Sequence, residues 1–333
     1  MSLARASAML SDRFTNPNYG KGTHTIEDDG LSVEDEETRV KEWLEGFLAR
    51  PTVELPRLPT VATEILEISR RPNARIEEIA SLLEREPMLA AKVLKLANSS
   101  LYGAPVAVAT LKQALVRVGL TVVRDVVMEA AMQMTVIRAE GFNDTLEAIR
   151  RHSTAVAWVS RFIARNTSID AENSFLVGLL HDLGLSVGLI ALAEWLKKNK
   201  QPVRLRPEHW LAVERLHPHV GAQLLESWKL PAGLVLVVRN HHQLIIGGYP
   251  HPSIAIHLIA EHIASNAGWG VEPTVFRAAD DIPMVSGLTS VNDDERDRAL
   301  NAANLTMRHY EQFVKDTQPL LDTLSGQFKK KAA

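Results

Sequence analysis

The sequence predicts an all-α fold, with an N-terminal helical bundle packed against a second, C-terminal helical domain. Three observations lead there. Apolar residues recur every three or four positions through most of the chain from Val40 onward, the spacing that lines one face of a helix. No run alternates apolar with polar residues for long enough to require a sheet. Prolines fall between the periodic segments, where a missing N–H is tolerated.

The elements follow in order. Residues 1–38 carry Glu27-Asp28-Asp29 and Glu34-Asp35-Glu36-Glu37 among Ser, Asn and Gly, and so little apolar surface predicts a disordered acidic leader. Val61, Ile65 and Ile68 form one helical face and Ile76, Ile79, Leu82 and Leu83 the next, punctuated by Pro59, Pro72 and Pro87. Met88 to Ala97 is a third helix, stopped by Asn98-Ser99-Ser100, whose side chains compete for backbone hydrogen bonds. A fourth starts at Leu111 and extends through Val122, Val123, Val126 and Val127 to Met134; its β-branched residues lower helix propensity, so burial must hold it. Residues 39–140 make the bundle. Helical segments near 146–166, 172–196, 208–228, 232–245 and 253–267, one opened by Pro218 and another by Pro231, build the second domain, 141–273. A polar linker, Thr274 to Asp297, and a last helix, about Glu295 to Leu324, complete residues 274–333.

The 333 residues, 46% of them hydrophobic, can bury one large core or two smaller ones. Trp158, Trp195, Trp210 and Trp228 are expected in the core of the second domain. The absence of cysteine excludes disulfides, thiolate metal sites and a cysteine nucleophile. A net charge of −3 gives no general attraction for nucleic acid or an anionic membrane, and neither is an expected partner. Lys92, Lys95, Lys112, Arg117 and Arg124 lack aromatic interleaving and are expected to form a solvated face. Phe175 to Leu196 approaches the length of a membrane span but contains His181, Asp182 and Glu194. An Asp at a helix centre costs about 2.5–3.5 kcal/mol on insertion, so two buried helices joined near Gly184 are expected instead. The first nineteen residues hold no signal-like apolar run, and the expected location is the cytoplasm. Neither a phosphate-cradling glycine loop nor a nucleophile elbow is present, which argues against a kinase, an NTPase or a serine hydrolase.

Most of the histidines cluster between His152 and His257, among them His152, His181, His209, His217, His219, His241, His242 and His257. His181-Asp182 follows the apolar run Phe175 to Leu180, so both polar side chains are carried inward, where an unpartnered carboxylate is costly. A metal ion or neighbouring histidines would remove that cost. Imidazole nitrogen with carboxylate oxygen suits Fe, Mn, Zn or Ni, and an Asp can bridge two such ions. Any one of these histidines is better explained as a hydrogen-bonded structural side chain; it is the set together that points to a site.

His152, the pair His181-Asp182 and a later acid, Glu261, resemble the H…HD…D signature of HD-domain phosphohydrolases, which usually have Asp at the last position. His217 and His241-His242 resemble the further ligands of the two-metal HD-GYP branch, whose members hydrolyse cyclic di-GMP. The resemblance implies a metal set of His152, His181, Asp182, His217, His241, His242 and Glu261, with Asp182 as the bridging and, in an active enzyme, catalytic carboxylate. Leu58-Pro-Thr-Val-Ala62, the stretch Glu86 to Gly103 with its Leu-Ala-Asn-Ser motif, Leu111 to Gly119, Leu180 to Gly184, His217 to Leu225, Trp228 to Pro231 and Asn240-His-His242 look like an HDOD (HD-related output) domain over roughly residues 55–268. That resemblance implies an HD-like C-terminal domain and a non-catalytic output or interaction module in bacterial signalling, with protein partners in a pathway. A metal or nucleotide site in such a module, or a metal-dependent phosphohydrolase acting on a cyclic dinucleotide, is the alternative it leaves. The departures are Leu185 where active HD enzymes usually have Lys, and Gln243 and Ile246 where the HD-GYP branch has acids. Gly247-Gly248-Tyr249-Pro250 partly resembles that branch's Gly-Tyr-Pro element but reads equally as a loop between helices.

Overall fold

The computed structural model describes residues 33–48, 60–69, 71, 73–99, 102, 107–134, 139–271 and 291–329. They form an all-α structure apart from one two-residue β-ladder. Helix α1, Val33–Leu48, begins inside the segment expected as a leader; residues 1–32 lie outside the described residues. Its buried face, Val40, Leu44 and Phe47, packs on the second half of the chain, where Trp43 Nε1 donates to the Ala191 carbonyl at 3.1 Å.

The N-terminal bundle comprises α2 (Thr60–Ser69), α3 (Ile76–Glu84), α4 (Pro87–Ala97), α5 (Leu111–Val118) and α6 (Leu120–Met134). The expected fourth helix is divided at Gly119, whose φ of +81° only glycine adopts readily. Thr110 and Gln113 form a reciprocal capping box at the start of α5. The Leu-Ala-Asn-Ser motif has a structural use: the Asn98 amide both donates to and accepts from the Val108 backbone, at 2.9 and 2.8 Å. Val122, Val123, Val126 and Val127 are all buried, so packing overrides weak propensity in α6.

The expected solvated basic face is corrected in part. Lys112 does sit on the surface, paired with Glu77 at 2.9 Å. Arg124 is buried beside Asp125. Asp125 is wholly enclosed and also pairs with Arg161, because a carboxylate at that depth requires cationic partners.

The second half contains α7 (Asn143–Arg165), α8 (Ala171–Leu180), α9 (Leu183–Lys198), α10 (Pro207–Ser227), α11 (Ala232–Arg239) and α12 (Pro252–Ala264), the last running into a π-turn at Ser265–Trp269. Asn173–Lys198 is long and apolar enough to cross a membrane by composition, but its most apolar part is almost wholly buried inside the fold, and His181-Asp182 breaks it into two helices as expected. Pro218 does not open a helix: α10 runs through it. Between α11 and α12, β1 (Ile245–Ile246) pairs antiparallel with β2 (Tyr249–Pro250). Gly247 and Gly248, both at positive φ, make the turn, so the Gly-Gly-Tyr-Pro segment is a tight hairpin. The expected single last helix is two, α13 (Asp293–Ala302) and α14 (Met307–Lys329), separated by Asn304 at φ +60°.

One large core runs from Ile65 to Leu324 and continues across the expected boundary at residue 140. A second unites α1 with α9 and α10 around Trp210, and Leu185 belongs to it. Trp158, Trp195 and Trp210 are buried and Trp228 packs against the larger core.

Two glycines set the helix crossings that matter later. A Cβ on Gly178 of α8 would lie 2.6 Å from Ala157 Cα of α7, and one on Gly184 of α9 would lie 1.9 Å from the His217 carbonyl oxygen of α10. The helices therefore meet backbone to backbone, which no larger residue permits. We expect Gly184→Ala to destabilise the protein by about 2–3 kcal/mol through overpacking, read as a lower urea midpoint. Gly233→Ala, where an added Cβ meets nothing within 4 Å, should be neutral or stabilising by up to ~1 kcal/mol.

Candidate metal centre

The turn between α8 and α9 carries His181 and Asp182. Asp182 occupies the cap position of α9 but makes no capping bond, which leaves its carboxylate free to point inward. The Gly178 crossing brings His152 of α7 alongside: His152 and His181 Nε2 lie 3.7 and 3.2 Å from Asp182 Oδ2. The Gly184 crossing brings α10 to the opposite side, with His217 and His241 Nε2 at 3.2 and 3.8 Å from Asp182 Oδ1. Glu261 of α12 closes the first side, 3.0 Å from His152 Nε2 and 3.5 Å from His181 Nε2. On the second side, His217 Nε2 stands 3.0 Å from His241 Nε2 and 3.3 Å from His242 Nε2. All seven residues singled out from the sequence thus meet around one carboxylate. His242 is at the exposed rim, and the other six are buried.

Four of the imidazoles share one anchoring pattern. Nδ1 of His152, His181, His217 and His241 reaches the carbonyls of Trp269 (2.8 Å), Gly178 (2.9 Å), Glu214 (2.5 Å) and Val238 (2.6 Å). A carbonyl only accepts, so each Nδ1 carries a proton and each Nε2 faces the centre. Three of the carbonyls come from helix ends, where the last turn has no intrahelical donor. Glu214 lies in mid-helix, and its donor would be the N–H of residue 218. That residue is Pro218, so the proline frees the carbonyl that orients His217.

Two Nε2 atoms 3.0 Å apart cannot both present lone pairs; a proton or a cation must lie between them. His217 is held above its ordinary pKa, against desolvation, by its hydrogen bond to and attraction from Asp182. His152 is likewise raised to about 9: burial opposes the shift, but Glu261 and then Asp182 outweigh it. Asp182 is held well below the carboxylate range, burial being overcome by His181 and His217. His241 and His257 are pushed well down, by burial first and by neighbouring histidines second.

Nε2 of His152 and His181 and both oxygens of Glu261 are buried without a hydrogen-bond partner. Buried polar atoms are rarely left so, and anchoring of the far ring nitrogen on a carbonyl is the usual second shell of a metal-bound histidine. An all N/O donor set fits Fe, Mn, Zn or Ni. Among the remaining clustered histidines, His209 is buried in the other core beside Trp195 and Arg206, held down to about 3 by burial and by Arg206. His219 is on the surface with Arg239. His257 is different: its ring centroid is 4.5 Å from that of His181. It was not singled out as a ligand candidate from sequence, although its placement four residues before Glu261 on one helix puts the two on the same face.

Two expectations follow for the metal-free protein. His152 and His217 bind protons more tightly when folded, so their stabilisation is complete below the ordinary value of 6.5 and is lost as pH rises, through about 9 for His152. His209, His241 and His257 bind protons more weakly when folded, so their contribution is lost as pH falls below 6.5. Urea midpoints should therefore peak near pH 6.5 and decline on both sides. Pro218→Ala restores a competing donor for Glu214; it should weaken metal binding by about 10-fold or more while changing the metal-free melting temperature little. Metal titration and calorimetry check both parts.

The HDOD domain family model matches residues 55–244. An uncharacterized protein of Treponema pallidum (strain Nichols) is 26% identical over 198 residues, a match spanning 57% of this chain and 38% of that protein's length. Among solved structures, an HDOD domain protein of Geobacter sulfurreducens superposes with a TM-score of 0.59 at 23% identity, covering 87% of this chain and 97% of the other. A Shewanella amazonensis SB2B protein provisionally described as a metal-dependent phosphohydrolase does so with a TM-score of 0.59 at 20% identity, covering 80% and 89%. A Marinobacter aquaeolei VT8 protein provisionally described as acting in signal transduction reaches 0.56 at 19% identity, covering 91% and 68%. A family match over more than half of the chain, on an all-helical fold shared with these structures, establishes that the protein belongs to the HDOD family.

Proposed function

We propose that this is a bacterial signalling regulator, acting in the cytoplasm, whose HDOD module holds a centre for two divalent transition-metal ions and presents its helical surface to protein partners. The observation that carries the metal is the convergence of Nε2 atoms, with Nδ1 anchored on carbonyls, upon Asp182 and Glu261. His152, His181, Asp182 Oδ2 and Glu261 would hold one ion; Asp182 Oδ1, His217, His241 and His242 would hold the other. The regulatory reading is supported by Leu185, which is packed in the second core and supplies no cation for a phosphate, and by the described structures of related fold, one of which carries a signal-transduction description.

A second reading, metal-dependent hydrolysis of a phosphodiester such as cyclic di-GMP, is favoured by Asp182, whose two oxygens serve the two sides separately. Bound ions would supply a water nucleophile near neutral pH and neutralise charge on a phosphate. The chain's own part would be to fix the imidazoles by their carbonyls and to keep Asp182 ionised against burial.

Protein purified without chelator should contain close to two equivalents of Fe, Mn, Zn or Ni, and titration of metal-free protein near pH 7.5 should release at least one proton as His152, raised to about 9, gives way to metal. Asp182→Asn should lower the stoichiometry and weaken the remaining site by about 10-fold or more. No bound metal and no metal uptake would remove the proposal. Hydrolysis of cyclic di-GMP and of a generic phosphodiester, assayed on the same loaded samples, separates the two readings: turnover lost in Asp182→Asn selects the enzyme.

A further inference from the structure

Of the histidines around the centre, His257 is the one with no established task. It is 2% exposed. Its ring lies 4.5 Å from that of His181 and 5.5 Å from that of His241, centroid to centroid. Unlike the four anchored imidazoles, its Nδ1 is buried with no hydrogen-bond partner. A neutral ring needs a donor and an acceptor, and a buried nitrogen left bare is destabilising.

The geometry points to His257 as a further metal ligand, joining His181 and Glu261 on the first ion of the proposed pair; this rests on the metal reading above. Potential ligand atoms of His181, His257 and Glu261 all lie within 4.8 Å of one another. With His257 the first ion would have five protein ligands, and neighbouring ligands around a five- or six-coordinate ion with bonds of about 2.1 Å stand ~3.0 Å apart, so an inward movement of side chains closes the set. His257 and Glu261 are one turn apart on α12, so a single helix face delivers both. The Glu261 oxygens, which make no hydrogen bond although His152 and His181 stand beside them, and the His257 ring then have one common partner.

The competing explanation is that His257 fills space among the other rings. His257→Phe separates the two, because it keeps an aromatic ring and removes both nitrogens. Full-length wild type, His257→Phe, His257→Gln and the surface control His219→Phe are stripped of metal and titrated with Mn²⁺ and Co²⁺. Stoichiometry, affinity and the Co²⁺ absorption spectrum are read. The expected result is loss of one equivalent, or an affinity for one ion about 10-fold or more weaker, with a changed Co²⁺ spectrum in both His257 variants and none of this in His219→Phe. If His257→Phe fails to fold, as judged by its metal-free melt, His257→Gln carries the test. Wild-type stoichiometry, affinity within about twofold and an unchanged spectrum in the folded variant would overturn the assignment and leave the two-ion centre standing. Wild type that takes up neither ion would overturn both.

Discussion

Asp182, in the turn between α8 and α9, and Glu261, on α12, are carboxylates buried among helices whose other inward-facing residues are largely apolar. A buried charge without compensation costs several kcal/mol, and the architecture around these two acids supplies that compensation. Four imidazoles, two on helices and two in the turns that follow helix ends, approach within 3.8 Å of Asp182, and His152 stands 3.0 Å from Glu261. In the protein alone the balance comes from protons on raised histidines. A pair of divalent cations would supply the same balance and satisfy the nitrogens and oxygens that protons leave bare.

The imidazoles are aimed by backbone rather than by other side chains. Helix ends leave carbonyls without partners, and the ends of α8, α11 and the π-turn lend theirs to His181, His241 and His152. Where the ring had to stand in mid-helix, Pro218 removes the competing N–H. This ties the orientation of each ring to the helix or π-turn whose carbonyl it holds, a form of preorganisation that side-chain partners on loops provide less well.

The centre is not confined to the family-matched segment, residues 55–244. Helix α12, which carries His257 and Glu261, lies beyond it, and is clasped from its other side by α13 and α14. His262 next to Glu261 meets Tyr310 Oη at 2.8 Å and Asp293 at 3.1 Å. Asp293 accepts, so the ring's Nε2 donates and its Nδ1 is free to receive the tyrosine hydroxyl. The C-terminal helices thus fix the helix that brings Glu261 to the candidate centre.

Much of this was legible in the linear chain. Apolar spacing of three to four determined the helices, because amphipathic burial is what stabilises them, and His152, His181-Asp182, His217, His241-His242 and Glu261 were readable as one set by their order. Less was legible where the backbone decides. The break at Gly119 and the continuity of α10 through Pro218 depend on local dihedrals and on which carbonyl a ring occupies. The burial of Arg124 followed from its pairing beside an enclosed Asp125. His257 carried a signal, its spacing from Glu261, but helical spacing says only that two residues share a face. Which face meets the other histidines was decided by tertiary packing: by the backbone contacts at Gly178 and Gly184, which set how closely α7, α8, α9 and α10 cross, and so whether the nitrogens come within reach of one carboxylate.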